Sequence, residues 1–149
     1  MRTPLIAGNW KMNGSAELIR QFGEYFAQAE LPEALDITII PPFPYLHAAR
    51  DAFEGTRLAL GAQTLNPVHS GAHTGEVSGQ MLREFGVCQV LIGHSERRQL
   101  YHETDDHVYD RTHAALSVGL TPVLCVGETL EERDAGETMQ VVLRQVGHV

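Results

Sequence analysis

Val90-Leu91-Ile92-Gly93-His94-Ser95-Glu96-Arg97-Arg98 is the stretch on which the reading of this chain turns. A short apolar run rich in β-formers reaches a glycine and passes at once into a polar, charged turn, as a buried parallel strand does when it emerges at its carboxyl end. In parallel α/β proteins that end of the strand is where function gathers. The same passage recurs along the chain. Leu5 to Trp10, Ile37 to Ile40, Leu58 to Gln63, Gln89 to Gly93 and Pro122 to Val126 all read as strands, with starts near 4, 36, 57, 88 and 121.

Helical patterns fill the intervals. Ser15 is placed to cap a helix whose apolar face is Leu18, Phe22, Tyr25, Phe26 and Ala29, residues at helical spacing. Leu46, Ala49 and Phe53 mark a short second helix, and Ser78 opens another that carries Met81, Leu82 and Phe85 before Gly86. Asp105 opens a helix with Val108, Thr112, Ala115 and Leu116 on one face, and a last helix from Thr138 presents Met139, Val142, Leu143 and Val146. A long polar loop runs from about Thr64 to Glu76. Five β-α units at this spacing imply parallel strands joined by helical crossovers. The pattern fits an open doubly wound sheet or part of a β/α barrel, and the length favours the open sheet, because a complete eight-fold barrel needs about 250 residues.

Composition narrows the function classes. The chain has 149 residues, 43% hydrophobic, with a formal net charge of −8. The negative balance argues against non-specific binding to nucleic acid or an anionic membrane, while a local field of opposite sign can still serve a small anionic substrate. No run is long and apolar enough to span a membrane, and the N-terminus lacks the apolar stretch of a signal peptide. Two cysteines, Cys88 and Cys125, suit a reducing, cytoplasmic setting rather than a disulfide scaffold.

The strand ends supply the candidate chemistry. Asn9 and Lys11 follow the first strand and, by strand alternation, point to one side; a lysine there is a compact cation suited to an anionic ligand. His94 sits where the fourth strand emerges and can act as acid, base or electrophile near neutral pH. Each also has an ordinary reading as a solvated loop lysine, a turn asparagine or a helix-start residue. Glu96, beside Arg97 and Arg98, reads as structural. Glu128 reads as a loop or helix-start carboxylate, Cys125 as a small buried hydrophobe, and Gln63 as an ordinary polar strand end. Phosphate-loop and dinucleotide-turn motifs are absent. His69 and His73 have the i, i+4 spacing of helical metal ligands but a non-helical setting, so no metal is expected.

Taken together, four stretches resemble triosephosphate isomerase. They are Ala7-Gly8-Asn9-Trp10-Lys11-Met12-Asn13, Gly71-Ala72-His73-Thr74-Gly75-Glu76, Ile92-Gly93-His94-Ser95-Glu96-Arg97-Arg98, and Cys125-Val126-Gly127-Glu128 with Glu131-Glu132-Arg133-Asp134-Ala135-Gly136. They stand in the family's order and at its spacing through all 149 residues, which reverses the preference for an open sheet. The resemblance implies a partial (β/α)8 barrel, one domain over 1–149 with about five of eight units, not closed by this chain alone. It implies an aldose–ketose isomerase of glycolysis and gluconeogenesis that interconverts dihydroxyacetone phosphate and D-glyceraldehyde 3-phosphate through an enediolate, with no cofactor.

In residue terms, the resemblance implies that His94 is the catalytic electrophile and Lys11 the catalytic, substrate-binding cation, with Asn9 beside it. Triosephosphate isomerase is itself the standard example of a histidine that works as a neutral imidazole. Ser95 resembles the residue that positions the base, Glu96 a carboxylate of the active-site region, and Glu128 a brace for the lid. Thr74, Gly75 and Glu76 match a loop that enters a second subunit, implying a homodimer. The family's sixth strand with its catalytic glutamate, its lid and two later phosphate-binding loops would follow Val149, and none of Glu128, Glu131, Glu132 or Glu137 matches that base. The expectation is a chain inactive alone and poorly soluble, with two unpaired sheet edges. The alternatives are a non-catalytic fragment or assembly module that needs a complementary chain, and, more remotely, a small open α/β binding protein.

Overall fold

The computed structural model describes residues 3–149. Five parallel strands, β1 (Leu5–Asn9), β2 (Asp36–Ile40), β3 (Leu58–Ala62), β4 (Val87–Ile92) and β5 (Thr121–Leu124), lie side by side in chain order. They form a curled half-barrel, with β1 and β5 at its edges among the described residues. Among the described residues seven α-helices accompany them: α1 (Ala16–Gln28), α2 (Leu46–Phe53), α3 (Gly79–Glu84), α4 (Ser95–Leu100), α5 (Asp105–Ser117), α6 (Leu130–Asp134) and α7 (Thr138–Gly147), with a short 3-10 helix at Phe43–Tyr45 leading into α2.

The two sheet faces follow from register. In parallel pairs, residues opposite one another point the same way. Ile37 with Leu58 and Ile39 with Leu60 therefore face the helices, where they join Ile19, Ala49, Phe53, Leu82, Val108 and Ala115 in one core. Thr38, Ala59, Gly61, Gln89, Leu91 and Val123 lie on the concave side. That face is narrow: a Cβ on Gly61 would meet Ile40 Cγ1 at 2.8 Å and Thr38 Cγ2 at 2.9 Å. A register shift at Leu60/Gly61 puts Val87 and Val90 both into the helix-facing core. This bulge turns Gln89 and Leu91 inward, since one residue of slip exchanges the faces.

The strand–helix order agrees with the sequence reading, and the caps explain where the helices begin. Ser15 Oγ accepts from Leu18 N–H, and Ser78 Oγ from Met81 N–H. α5 opens at Asp105 as read from the sequence, and Thr104 caps it: its hydroxyl accepts from His107 N–H while His107 Nδ1 accepts from Thr104 N–H. Thr129 and Glu132 make the same reciprocal pair for α6. Such caps satisfy the unpaired amides of a helix start.

Four predicted helix faces are corrected: Met81 in α3 and Leu116 in α5 are exposed, and the faces of α1 and α7 change more. In α1 the buried positions are Ile19 and Gly23; Leu18 and Tyr25 are exposed, and Phe22 and Phe26 are half-buried. The cause is a close crossing with α2, in which a Cβ on Gly23 would lie 2.3 Å from Ala52 O, so the helix turns its smallest residue to its neighbour. In α7, Val141 and Gln145 are buried, whereas Met139, Leu143 and Val146 are exposed. Gln145 goes inward because its amide has two backbone partners on Gly127.

Candidate functional site

β1 ends at Asn9, so strand alternation does not govern Lys11. The chain instead turns through Lys11 in the left-handed region, at φ 53°. For a residue with a Cβ this costs of the order of 1–3 kcal/mol and persists only where its surroundings enforce it. Asn9 Oδ1 accepts from Lys11 N–H at 3.0 Å, and Gln63 Nε2 donates to the Lys11 carbonyl at 2.8 Å and to the Ile40 carbonyl at 3.1 Å. The ends of three strands thus hold one lysine. The loop beyond is braced by the Tyr45 hydroxyl, which donates to the Gly14 carbonyl at 3.1 Å.

At the end of β4, Gly93 adopts φ +72° and His94 becomes the N-cap of α4. Its Nδ1 accepts from Glu96 N–H at 3.2 Å. A ring nitrogen that accepts from an amide carries no proton itself, so the neutral ring bears its hydrogen on Nε2. Lys11 Nζ donates to Glu96 Oε1 at 2.6 Å. That bond, working against a desolvation effect that raises it, brings the Glu96 carboxyl below its ordinary value, with the charge of Lys11 adding to the effect.

Asn9, Lys11, Gln63, His94, Glu96 and Arg97 line one cavity of about 350 Å³. Two cationic side chains face one carboxylate there, although the whole chain is acidic. The arginines next to Glu96 in sequence do not pair with it. Arg97 Nε binds the buried Glu103 at 2.5 Å and stacks over Tyr101, and Arg98 Nη1 binds Asp105 at 2.6 Å. Glu96 takes the lysine instead, because the α4 turn carries successive side chains in different directions.

Ser95 and Glu128 lie in a second cavity, of about 430 Å³, on the other side of His94, with Arg98, Gly127 and Gln145. Glu128 is not a free loop carboxylate. Its side chain is only 8% exposed and accepts from Arg133 Nε at 2.8 Å and Thr138 Oγ1 at 3.2 Å. Its own backbone N–H, then Arg133, hold its carboxyl below the ordinary range. Cys125 is half-buried, and desolvation pushes its thiol up, away from nucleophilic character.

Thr74, Gly75 and Glu76 are exposed and line neither cavity; they lie on the C-terminal side of the long loop, where it closes. The neck of that loop is tied: Asn66 Nδ2 donates to Glu76 Oε2 at 2.9 Å, and Asn66 N–H to the Val77 carbonyl at 2.8 Å. Asn9, Lys11, His94 and Glu96 therefore converge, Ser95 and Glu128 form a second group, and the loop is separate. The sequence reading gives Gln63 no role. The available signal is that Gln63 follows β3 directly as Asn9 closes β1, which puts an amide at the carboxyl end of each strand.

No described helix is long and apolar enough to cross a membrane. The triosephosphate isomerase family model matches residues 4–149. A triosephosphate isomerase of Chromohalobacter salexigens is 68% identical over 148 residues, covering 99% of this chain and 59% of that protein. Those of Alkalilimnicola ehrlichii and Alcanivorax borkumensis are 52% and 50% identical, covering 100% and 97% of this chain and 60% and 58% of theirs. The chain spans about three fifths of the length of the curated relatives it matches.

Proposed function

The chain belongs to the triosephosphate isomerase family, and from that premise we propose that residues 1–149 form the N-terminal part of a single barrel domain and supply one side of an isomerase site. The reaction is interconversion of dihydroxyacetone phosphate and D-glyceraldehyde 3-phosphate in the cytoplasm, without metal or organic cofactor. One observation supports this above all: Lys11 and His94, which follow different strands and lie far apart in the sequence, line one cavity at the strand ends.

Moving a proton between adjacent carbons through an enediolate builds negative charge on the carbonyl oxygen. That charge needs a donor and a cation already in place. His94 Nε2 is the donor, since Nδ1 is committed to Glu96 N–H. Lys11 supplies the cation and, with Asn9, holds the substrate. The Glu96 carboxylate keeps the ammonium at the strand end until the substrate's own negative oxygens compete for it. Ser95 and Glu128 serve the second cavity, where a base and a lid brace belong. The loop carrying Thr74, Gly75 and Glu76 reaches a second subunit of a homodimer.

On this reading no carboxylate lining the two cavities, Glu96, Glu128 or Glu132, serves as the catalytic base, so the 149 residues by themselves are expected to show no turnover. The test is a fused chain: residues 1–149 joined to the part of the Chromohalobacter salexigens protein outside the match. A coupled assay on fused protein of verified mass should show turnover that the separate chain lacks. An inactive but folded fusion would overturn the reading, as would full activity from the separate chain.

A further inference from the structure

We propose that Arg98 is a positioning residue for His94, acting through the Gly93 carbonyl and anchored by Asp105. The proposal rests on His94 being the electrophile of this site, and it concerns how the ring is kept aimed.

The His94 ring has one hydrogen-bond partner among the described residues, the Glu96 amide. Its direction otherwise depends on the Gly93–His94 peptide, because the plane of that peptide sets where the His94 Cα–Cβ bond points. Arg98 Nε donates to the Gly93 carbonyl at 2.9 Å and so grips that plane. Rotation of the peptide would break a charge-assisted hydrogen bond in a poorly solvated place.

Arg98 is itself held. Its Nη1 meets Asp105 Oδ1 at 2.6 Å, with side chains only 17% and 21% exposed. Asp105 is the first residue of α5, where a helix start favours a carboxylate, and its second oxygen lies 3.5 Å from Arg144 Nε of α7. A line of contacts therefore runs from α5 and α7, through one guanidinium, to the peptide that precedes the histidine. Space enforces the same geometry: a Cβ on Gly93 would lie 3.0 Å from Arg98 Nη2, 3.0 Å from Val108 Cγ2 and 3.2 Å from Cys125 O. A side chain at position 93 would be strained at this φ and would crowd the guanidinium and its neighbours.

A lysine can replace this arginine only in part. The planar fork presents Nε and Nη1 to two acceptors at once, whereas an ammonium on a flexible stem cannot hold both in the same fixed geometry.

The test uses Arg98→Met and Arg98→Lys in the fused chain, with 15N histidine spectra and kinetics per folded molecule, counted by active-site titration. In the parent, His94 should give one neutral tautomer with its hydrogen on Nε2. Arg98→Met should give averaged or doubled His94 signals and a kcat at least about 10-fold lower, with KM within about two-fold. Arg98→Lys should fall between the two. A role confined to stability would lower the melting temperature but leave the His94 spectrum and kcat per folded molecule unchanged, and that result would overturn the proposal. If Arg98→Met does not fold, Asp105→Asn, which keeps the arginine but loosens its anchor, must show the same spectral change in smaller degree; an unchanged spectrum there also overturns it. The spectral reading does not depend on turnover. An inactive parent with a fixed His94 tautomer counts against the proposed reaction, while the Arg98 comparison still decides this point.

Discussion

The cavity at the end of β1 and the cavity at the end of β5 share His94 but are built differently. In the first, groups after three different strands close on one lysine: Asn9 at the end of β1, Gln63 just after β3 and Glu96 in α4 each hold a different part of Lys11. In the second, polar groups are held from behind by helices. Gln145 of α7 takes both the N–H and the carbonyl of Gly127, and Arg133 and Thr138 take Glu128. β1 to β4 all contribute to or flank the first cavity. The second lies beside β5, an edge strand of the half-barrel. The contrast teaches that strand ends and helices hold polar side chains in different ways: the first cavity fixes a lysine from several strand ends, while the second fixes its polar groups mainly from α6 and α7 behind the edge strand.

Substitutions in the fused chain can break or sharpen that contrast. Lys11→Ala removes the cation that the first cavity is built to hold, and kcat/KM should fall at least about 1,000-fold in the coupled assay. His94→Gln acts on both cavities at once and should lower kcat at least about 100-fold. Near-native kinetics in either variant would break the assignment. Gln63→Leu should cost about 10-fold in kcat/KM, because Lys11 loses one of the two bonds that enforce its left-handed turn; a loss seen in melting temperature alone would make Gln63 purely structural.

In the second cavity, Gln145→Leu should lower stability by about 1–3 kcal/mol in urea unfolding, since Gly127 loses partners for a donor and an acceptor. Its kcat should change less than that of Gln63→Leu. The smallest effect concerns pH. The folded Glu96 carboxyl titrates below its ordinary 4.5, so the stability it contributes is present above 4.5 and is lost as pH falls through the lower folded value. A 13C titration should place the Glu96 midpoint under 4.5 and return it toward 4.5 in Lys11→Met. An unshifted midpoint in the parent would mean that the Lys11–Glu96 bond does not persist in solution.

Much of this was legible in the chain. Apolar runs at regular intervals, Ser15 and Ser78 as caps, and polar turns after each strand marked five β-α units with their active ends. The α1 and α7 faces were not legible, because helical periodicity records which residues are apolar and not what they meet. Gly23 turned α1 through a close backbone approach, and Gln145 turned α7 through two hydrogen bonds. The bulge beside Gly61 was equally hidden, since it is a property of two strands paired and not of either alone.

The sequence by itself determined the parallel β-α order, the family and the residue types at the strand ends. Those follow from local preference and from motifs of fixed spacing. Only the tertiary structure decided which charges meet. Glu96 adjoins two arginines in the chain yet binds a lysine 85 residues away, and the arginines pass it to reach Glu103 and Asp105. Pairing depends on where the curl of the sheet brings strand ends together and on the direction each side chain leaves its turn, and neither is written in the order of residues.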